Sequence, residues 1–139
     1  MASRSILVAA AAGDPFVSEL VRFLRSEECD VLLAHDARGA LRAARSRRPV
    51  LVVLDAVLGG GDGLSLCRQL KGDPSTCDIP VFCFSTLMVR DRCEEVGADG
   101  FMLKPTEQET LLHRIREVLQ SQVKQFPRHA PRGRGSSPA

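Results

Sequence analysis

Val50 to Asp55 reads VLVVLD, and the eight residues behind it, Ala56 to Gly63, read AVLGGGDG. An apolar run of that length that ends in a carboxylate, with a helical pattern beyond, is what a parallel strand buried on both faces looks like. Such a strand delivers its last residue to the carboxyl edge of a sheet, where α/β folds place their ligand sites. Asp55 is therefore the residue on which a functional reading turns.

Working outward from it, the periodicities alternate five times between a short strand and a longer helix. Ile6 to Ala10 is a small apolar strand, after which Asp14 and Pro15 supply the N-cap and first-turn signals of a helix with Val17, Leu20, Val21 and Leu24 at helical spacing. Val31 to Ala34 is a second strand, and Ala37 to Arg47 an alanine-rich helix with Ala40, Leu41 and Ala44 inward, separated by Pro49 from the central strand. On the other side, Ala56 to Gly63 reads as a glycine-rich loop and Leu64 to Lys71 as a helix with Leu66, Cys67 and Leu70 on one face. Pro80 introduces the strand Val81 to Ser85, Gly97 closes a weakly amphipathic helix from about Val89, and Phe101 to Leu103 is a fifth strand. The last helix, Glu107 to Val123, carries Leu111, Leu112, Ile115, Val118 and Leu119 in one stripe. A (βα)5 order with short right-handed crossovers gives a doubly wound five-stranded parallel sheet, and the flavodoxin-like strand order 2-1-3-4-5 is its usual solution.

Length and composition bound the rest. The chain of 139 residues is one domain's worth, and a body of about 120 residues buries a core without disulfides or metal. Residues 1–121 hold 15 basic and 17 acidic side chains, whereas 122–139 hold 4 basic and none acidic. That tail, rich in proline, glycine, serine and arginine and nearly devoid of apolar residues after Phe126, cannot offset its ordering entropy and is expected to be disordered. Its charge reads as solvating, so direct DNA binding is not expected. The five cysteines form no C-x-x-C pair, and Cys67, Cys83 and Cys93 fall inside helices or strands, which favours buried thiols in a reducing cytoplasm. No apolar run approaches the roughly 18 residues of a membrane span, and the short opening MASRS does not indicate a signal peptide, so neither leader nor anchor is expected. His35, His113 and His129 have no ligand spacing, and the glycine run lacks the lysine and Ser/Thr of a phosphate-cradling loop.

In the expected architecture Asp55, Ser85 and Lys104 stand at the carboxyl ends of strands three, four and five. An acid alone at a strand end reads as a loop or cap residue; a hydroxyl and a cation in register beside it make a site. A carboxylate can attack an activated phosphoryl group to give an acyl phosphate, while an ammonium and a hydroxyl bind the phosphoryl oxygens as charge develops. No further acid, base or cofactor motif accompanies the three, so an enzyme acting on a free small molecule is not expected.

These residues also carry a family resemblance. VLVVLDAVLGGGDGLSLCRQLK, IPVFCFST and GADGFMLKP, in that order, make the chain resemble the receiver domains of two-component response regulators over residues 5–121. The resemblance implies that Asp55 is the phosphoacceptor, Ser85 the switch hydroxyl, Lys104 the phosphoryl-pairing cation and Phe101 the switch aromatic, with a cis Lys104–Pro105 peptide. It implies a histidine kinase or phosphotransfer protein as donor and a downstream protein as recipient. Val89 with the mixed charges of Arg90, Arg92, Glu94 and Glu95 offers a homodimer contact through the fourth helix, fifth strand and fifth helix.

Against the family pattern, the acidic pair expected at the end of strand one is replaced by Ala9, Ala10, Ala11, Ala12 and Gly13 before Asp14. Magnesium is held by hard oxygen ligands, and Asp55 alone is a weak site for it. Asp14 is the alternative second ligand if it swings in, but its place before Pro15 suits an N-cap better. Gly59 stands where the family has proline, which leaves the loop less restrained. The expectation is a pseudo-receiver, impaired in magnesium-dependent phosphorylation and acting through protein contact; the alternative is a conventional, fully phosphorylatable receiver.

Overall fold

The computed structural model describes residues 4–104 and 108–120, with only the backbone described for 59–62 and 108. Five strands, β1 (Ser5–Ala9), β2 (Asp30–Ala34), β3 (Leu51–Asp55), β4 (Val81–Ser85) and β5 (Gly100–Leu103), alternate with five helices. These are α1 (Pro15–Ser26), α2 (Ala37–Arg47), α3 (Leu58–Gly72), α4 (Arg90–Glu95) and α5 (Gln108–Gln120). All neighbouring strands pair in parallel, in the order β2-β1-β3-β4-β5, as expected.

Strand side chains alternate between two cores. Ile6, Val8, Leu51, Val53, Phe82 and Phe84 face α1 and α5 and pack on Leu20, Leu24 and Ile115, among others. Leu7, Val52, Leu54, Val81 and Cys83 face α2, α3 and α4 and pack on Ala40, Ala44, Leu66, Cys67, Leu70 and Cys93. Burial on both faces explains why β3 and β4 read as unbroken apolar runs. The anticipated helical stripes are those observed, with Leu41, Val21 and Leu112 packed at the core margins.

One element differs from expectation. Ala56 to Gly63 is not a loop: the turn occupies only Ala56 and Val57, and α3 starts at Leu58, six residues before the expected Leu64. Glycine is the second-poorest helix former, so propensity alone argues against a helix here. Leu58 is 2% exposed and belongs to the α2–α3–α4 core, and its burial fixes the first turn against the sheet. Gly63 then passes directly over the end of β3, where a Cβ would fall on the carbonyl oxygen of Asp55 and lie 2.6 Å from the carbonyl carbon of Ala56. Gly63 thus allows a close helix–strand approach. The cis expectation for Lys104–Pro105 and the tail 122–139 fall outside the described residues.

Candidate functional site

β3 and β4 register Asp55 against Phe84, and β4 and β5 register Ser85 against Leu103. Two backbone bonds continue the ladder past the strand ends: Ala56 N–H donates to Phe84 O and Lys104 N–H to Ser85 O, both at 2.8 Å. The sheet edge therefore holds the three predicted residues in fixed order. Asp55 is 9% exposed, and its Oδ1 accepts from Val57 N–H at 3.0 Å, closing the turn that starts α3. Ser85 is 1% exposed and its Oγ accepts from Leu87 N–H at 2.9 Å.

Alternation separates these side chains. Asp55 follows Leu51 and Val53 on the α1–α5 face, and Lys104 follows Met102 on the same face. Ser85 follows Val81 and Cys83 on the opposite face. Phe101 lies on that opposite face as well, half-buried, with the Arg90 guanidinium 5.0 Å from its ring centroid. The Ser85 hydroxyl and the Phe101 ring share one side of the edge, the acid and the cation the other.

The residue that completes the acidic side is Asp14. Gly13, at φ +85°, adopts the left-handed turn that carries the chain from β1 into α1. Asp14 then does two things at once: Oδ1 accepts from Phe16 N–H at 2.9 Å as the N-cap of α1, and Oδ2 pairs with Lys104 Nζ at 2.7 Å. The cap was expected from sequence; the ion pair, across 90 positions, was not. Both partners are largely buried, Lys104 at 13% and Asp14 at 14% exposure. The Lys104 ammonium also stands 5.0 Å from the Phe84 ring centroid and 5.4 Å from that of Phe16, and the two rings meet edge to face. Cation–π attraction of this kind adds on the order of 1 kcal/mol when partly desolvated.

Electrostatically, the site is one ammonium among two carboxylates. Burial pushes the Asp55 carboxyl above its ordinary value; the Val57 N–H bond and the Lys104 charge oppose that rise, and the Asp14 charge adds to it. A carboxyl raised on folding favours its protonated form in the native state, so its ionisation costs stability as pH climbs from the unfolded-state value through the folded one, and the cost persists above. Asp55→Asn keeps the Oδ1 acceptor and removes the charge. We expect it to stabilise the protein at pH 7 by about 1 kcal/mol, the size of an ordinary single-site effect. In denaturant melts that gain shrinks to nothing as pH falls below the ordinary carboxylate range. A gain that is flat with pH would show that Asp55 carries no such penalty.

His35 and His113 are exposed. His35 Nδ1 lies 2.9 Å from Ala10 O, and His113 faces Glu117 across one helical turn. No described helix is long and apolar enough to cross a membrane.

Comparison with known proteins agrees with this architecture. The family model for the response regulator receiver domain matches residues 13–116. Over 123 residues the chain is 32% identical to the DNA-binding dual master transcriptional regulator RpaA of Synechocystis, which covers 84% of this chain and 51% of RpaA. The chain thus spans about half the length of that relative. The signal receiver domain of a DNA-binding response regulator from Colwellia psychrerythraea has the same fold, with a TM-score of 0.75 at 24% identity over 84% of this chain and 98% of that one. The BeF3-activated N-terminal receiver domain of Klebsiella pneumoniae RstA is 30% identical, with a TM-score of 0.70 over 84% of this chain and 99% of that one.

Proposed function

Since the chain belongs to the response regulator receiver domain family, we propose that it is a receiver in which Asp55 holds the phosphoacceptor position but takes up phosphate slowly. Its main output is contact with a protein partner. The observation that carries the reading is the Asp14–Lys104 ion pair at 2.7 Å beside a β1 end made of alanine.

In phosphoryl transfer to a carboxylate, an Asp55 oxygen forms a bond to phosphorus as the donor's P–O bond breaks, and the equatorial oxygens need positive charge around them. Lys104 is the cation of the site, and Asp14 already neutralises it. A dianionic donor therefore meets two carboxylates and one engaged ammonium. Unit charges about 4 Å apart interact by roughly 4 kcal/mol at an effective dielectric constant near 20, so each uncompensated repulsion slows transfer by orders of magnitude.

Magnesium would ordinarily relieve that repulsion, but the residues present do not suit it. Among the described residues no group of three His, Cys, Asp or Glu side chains is placed to hold a metal ion. Of the two carboxylates near Lys104, one is committed to the ammonium and to the α1 cap. A hard divalent ion retains two carboxylates at best by breaking that pair.

Supporting the signalling reading are the buried Ser85 at the end of β4 and Phe101 under Arg90, which couple the edge to α4 and β5. A histidine kinase or phosphotransfer protein is the donor class, and an effector protein recognising the α4–β5–α5 side is the recipient. The test is Asp14→Asn, which retains the cap acceptor and frees Lys104. With acetyl phosphate and magnesium, intact-mass analysis should show labelling of Asp55 about tenfold faster than in the parent, the consequence of lowering the barrier by about 1.4 kcal/mol. Slower labelling in the variant would make Asp14 a metal ligand and end this reading.

A further inference from the structure

α2 is a helix of one charge. Five of the 15 basic residues of 1–121 lie between Arg38 and Arg48, and none of the 17 acidic ones does. A helix face that merely solvates a fold carries both signs, as α5 does where Arg114 meets Glu117. Here the pattern works against the helix. Arg38 stands in the first turn, where the helix dipole opposes a cation, and Arg42 one turn further on, where like charges repel. Arg45 is held by Asp73 and Arg48 by Asp78, but Arg38, Arg42 and Arg47 are exposed and make no ion pair among the described residues.

Three of these cations border one depression. Arg38, Arg42 and Arg45 line a groove of about 660 Å³ between α2 and α3, with Leu41 and Ser46 beside them and Gln69 on the α3 wall. Leu41 is half-buried and packs on the α2–α3–α4 core, so its outer part gives the groove an apolar floor. Spacings of four and three residues put the guanidinium groups on one face over roughly two helical turns, or about 10 Å. Such a face matches a second helix with carboxylates at the same spacings and an aliphatic side chain among them. Each guanidinium is a fork suited to a carboxylate. Nucleic acid fits less well. The rest of 1–121 is acidic, which repels a long polyanion; the chain has no Trp or Tyr, and its described phenylalanines are buried or half-buried, which leaves no open ring for bases to stack on.

We propose that the α2–α3 groove docks an acidic helical segment of a partner protein, with its carboxylates on Arg38, Arg42 and Arg45 and one aliphatic side chain over Leu41. Arg45 bonds Asp73 through Nε at 3.0 Å, which leaves its terminal nitrogens for the partner. The surface is distinct from the α4–β5–α5 side: none of the groove's lining residues belongs to those elements or to the Asp55 edge. The contact therefore stands whether or not Asp55 takes up phosphate.

The test is fluorescence anisotropy of the full chain with a labelled, Ala-rich helical peptide that carries three Glu residues at those spacings and a Leu among them. The same peptide with Gln for each Glu, a DNA duplex and phosphatidylserine vesicles are the comparators. The expected result is saturable binding of the Glu peptide that weakens as salt rises and drops about tenfold or more in Arg38→Glu/Arg42→Glu. Arg22→Glu/Arg25→Glu on α1 makes the same change in net charge at exposed positions and should leave the affinity within about twofold, since salt screens distant charges. Amide shifts on titrating the peptide into the unsubstituted chain should concentrate in α2 and α3, a reading that does not depend on any variant folding. No binding of the Glu peptide, equal binding of the Gln peptide, equal loss in the two variants, or shifts centred on α1 or α4 would each overturn the proposal. So would tighter binding of the duplex or the vesicles, or a dimer of the chain that Arg38→Glu/Arg42→Glu dissociates.

Discussion

Gly63→Ala should lower the stability of this protein by about 4 kcal/mol or more, enough to leave much of the chain unfolded at moderate temperature. The added methyl has nowhere to go. Its carbon would fall on the Asp55 carbonyl oxygen and stand 2.6 Å and 2.7 Å from the carbonyl carbon and oxygen of Ala56. Those atoms belong to backbone, and Ala56 N–H is itself bonded to Phe84 O, so they cannot yield as a flexible side chain does. α3 would have to lift from the sheet, and with it Leu58, Leu66, Cys67 and Leu70, all buried in the same core. Alanine's better helix propensity returns only about 1 kcal/mol. Chemical denaturation followed by circular dichroism gives the answer, and a loss under 1 kcal/mol would show that α3 does not pass this close to β3.

Lys104→Met should cost about 3 kcal/mol. The stem of methionine fills similar space, but Asp14 loses its ammonium partner while remaining largely buried, and Asp55 loses the opposing charge that restrains its rise. Breaking one side of a buried pair is costly because of the charge left behind, more than because of the attraction lost. The contacts with Phe16 and Phe84 lose their cationic component too. Adding Asp14→Asn to Lys104→Met should therefore recover about 2 kcal/mol, since the amide keeps the α1 cap and removes the stranded carboxylate. Strictly additive losses in the double-mutant cycle would mean that the two residues do not act as a pair.

The fold was legible because burial imposes period. β4 (Val81–Ser85) and α2 (Ala37–Arg47) lie where alternation and spacing put them, and a sheet covered on both faces explains the apolar runs. The start of α3 was not legible. Local propensity disfavours three successive glycines in a helix, and what reverses it is tertiary: the burial of Leu58 and the approach of Gly63 to β3. At the site, strand ends fixed the order of Asp55, Ser85 and Lys104 but not their faces.

The role of Asp14 shows the limit of local reading most clearly. An aspartate before Pro15 is a helix cap on any local argument, and so it is; that its second oxygen holds Lys104 depends on the turn at Gly13 and on where β5 ends. Cys67, Cys83 and Cys93 were each expected to be buried from their own helix or strand, and they are.

We propose Asp55 as a site position whose cation is already engaged. The most direct test is intact-mass analysis of the unsubstituted chain after acetyl phosphate treatment, with and without magnesium, beside Asp55→Asn and an ordinary receiver as controls. The prediction is little or no adduct under conditions that fully modify the ordinary receiver, and little response to magnesium. A rapid, magnesium-dependent phosphoryl adduct that vanishes in Asp55→Asn would contradict it and make this chain a conventional switch.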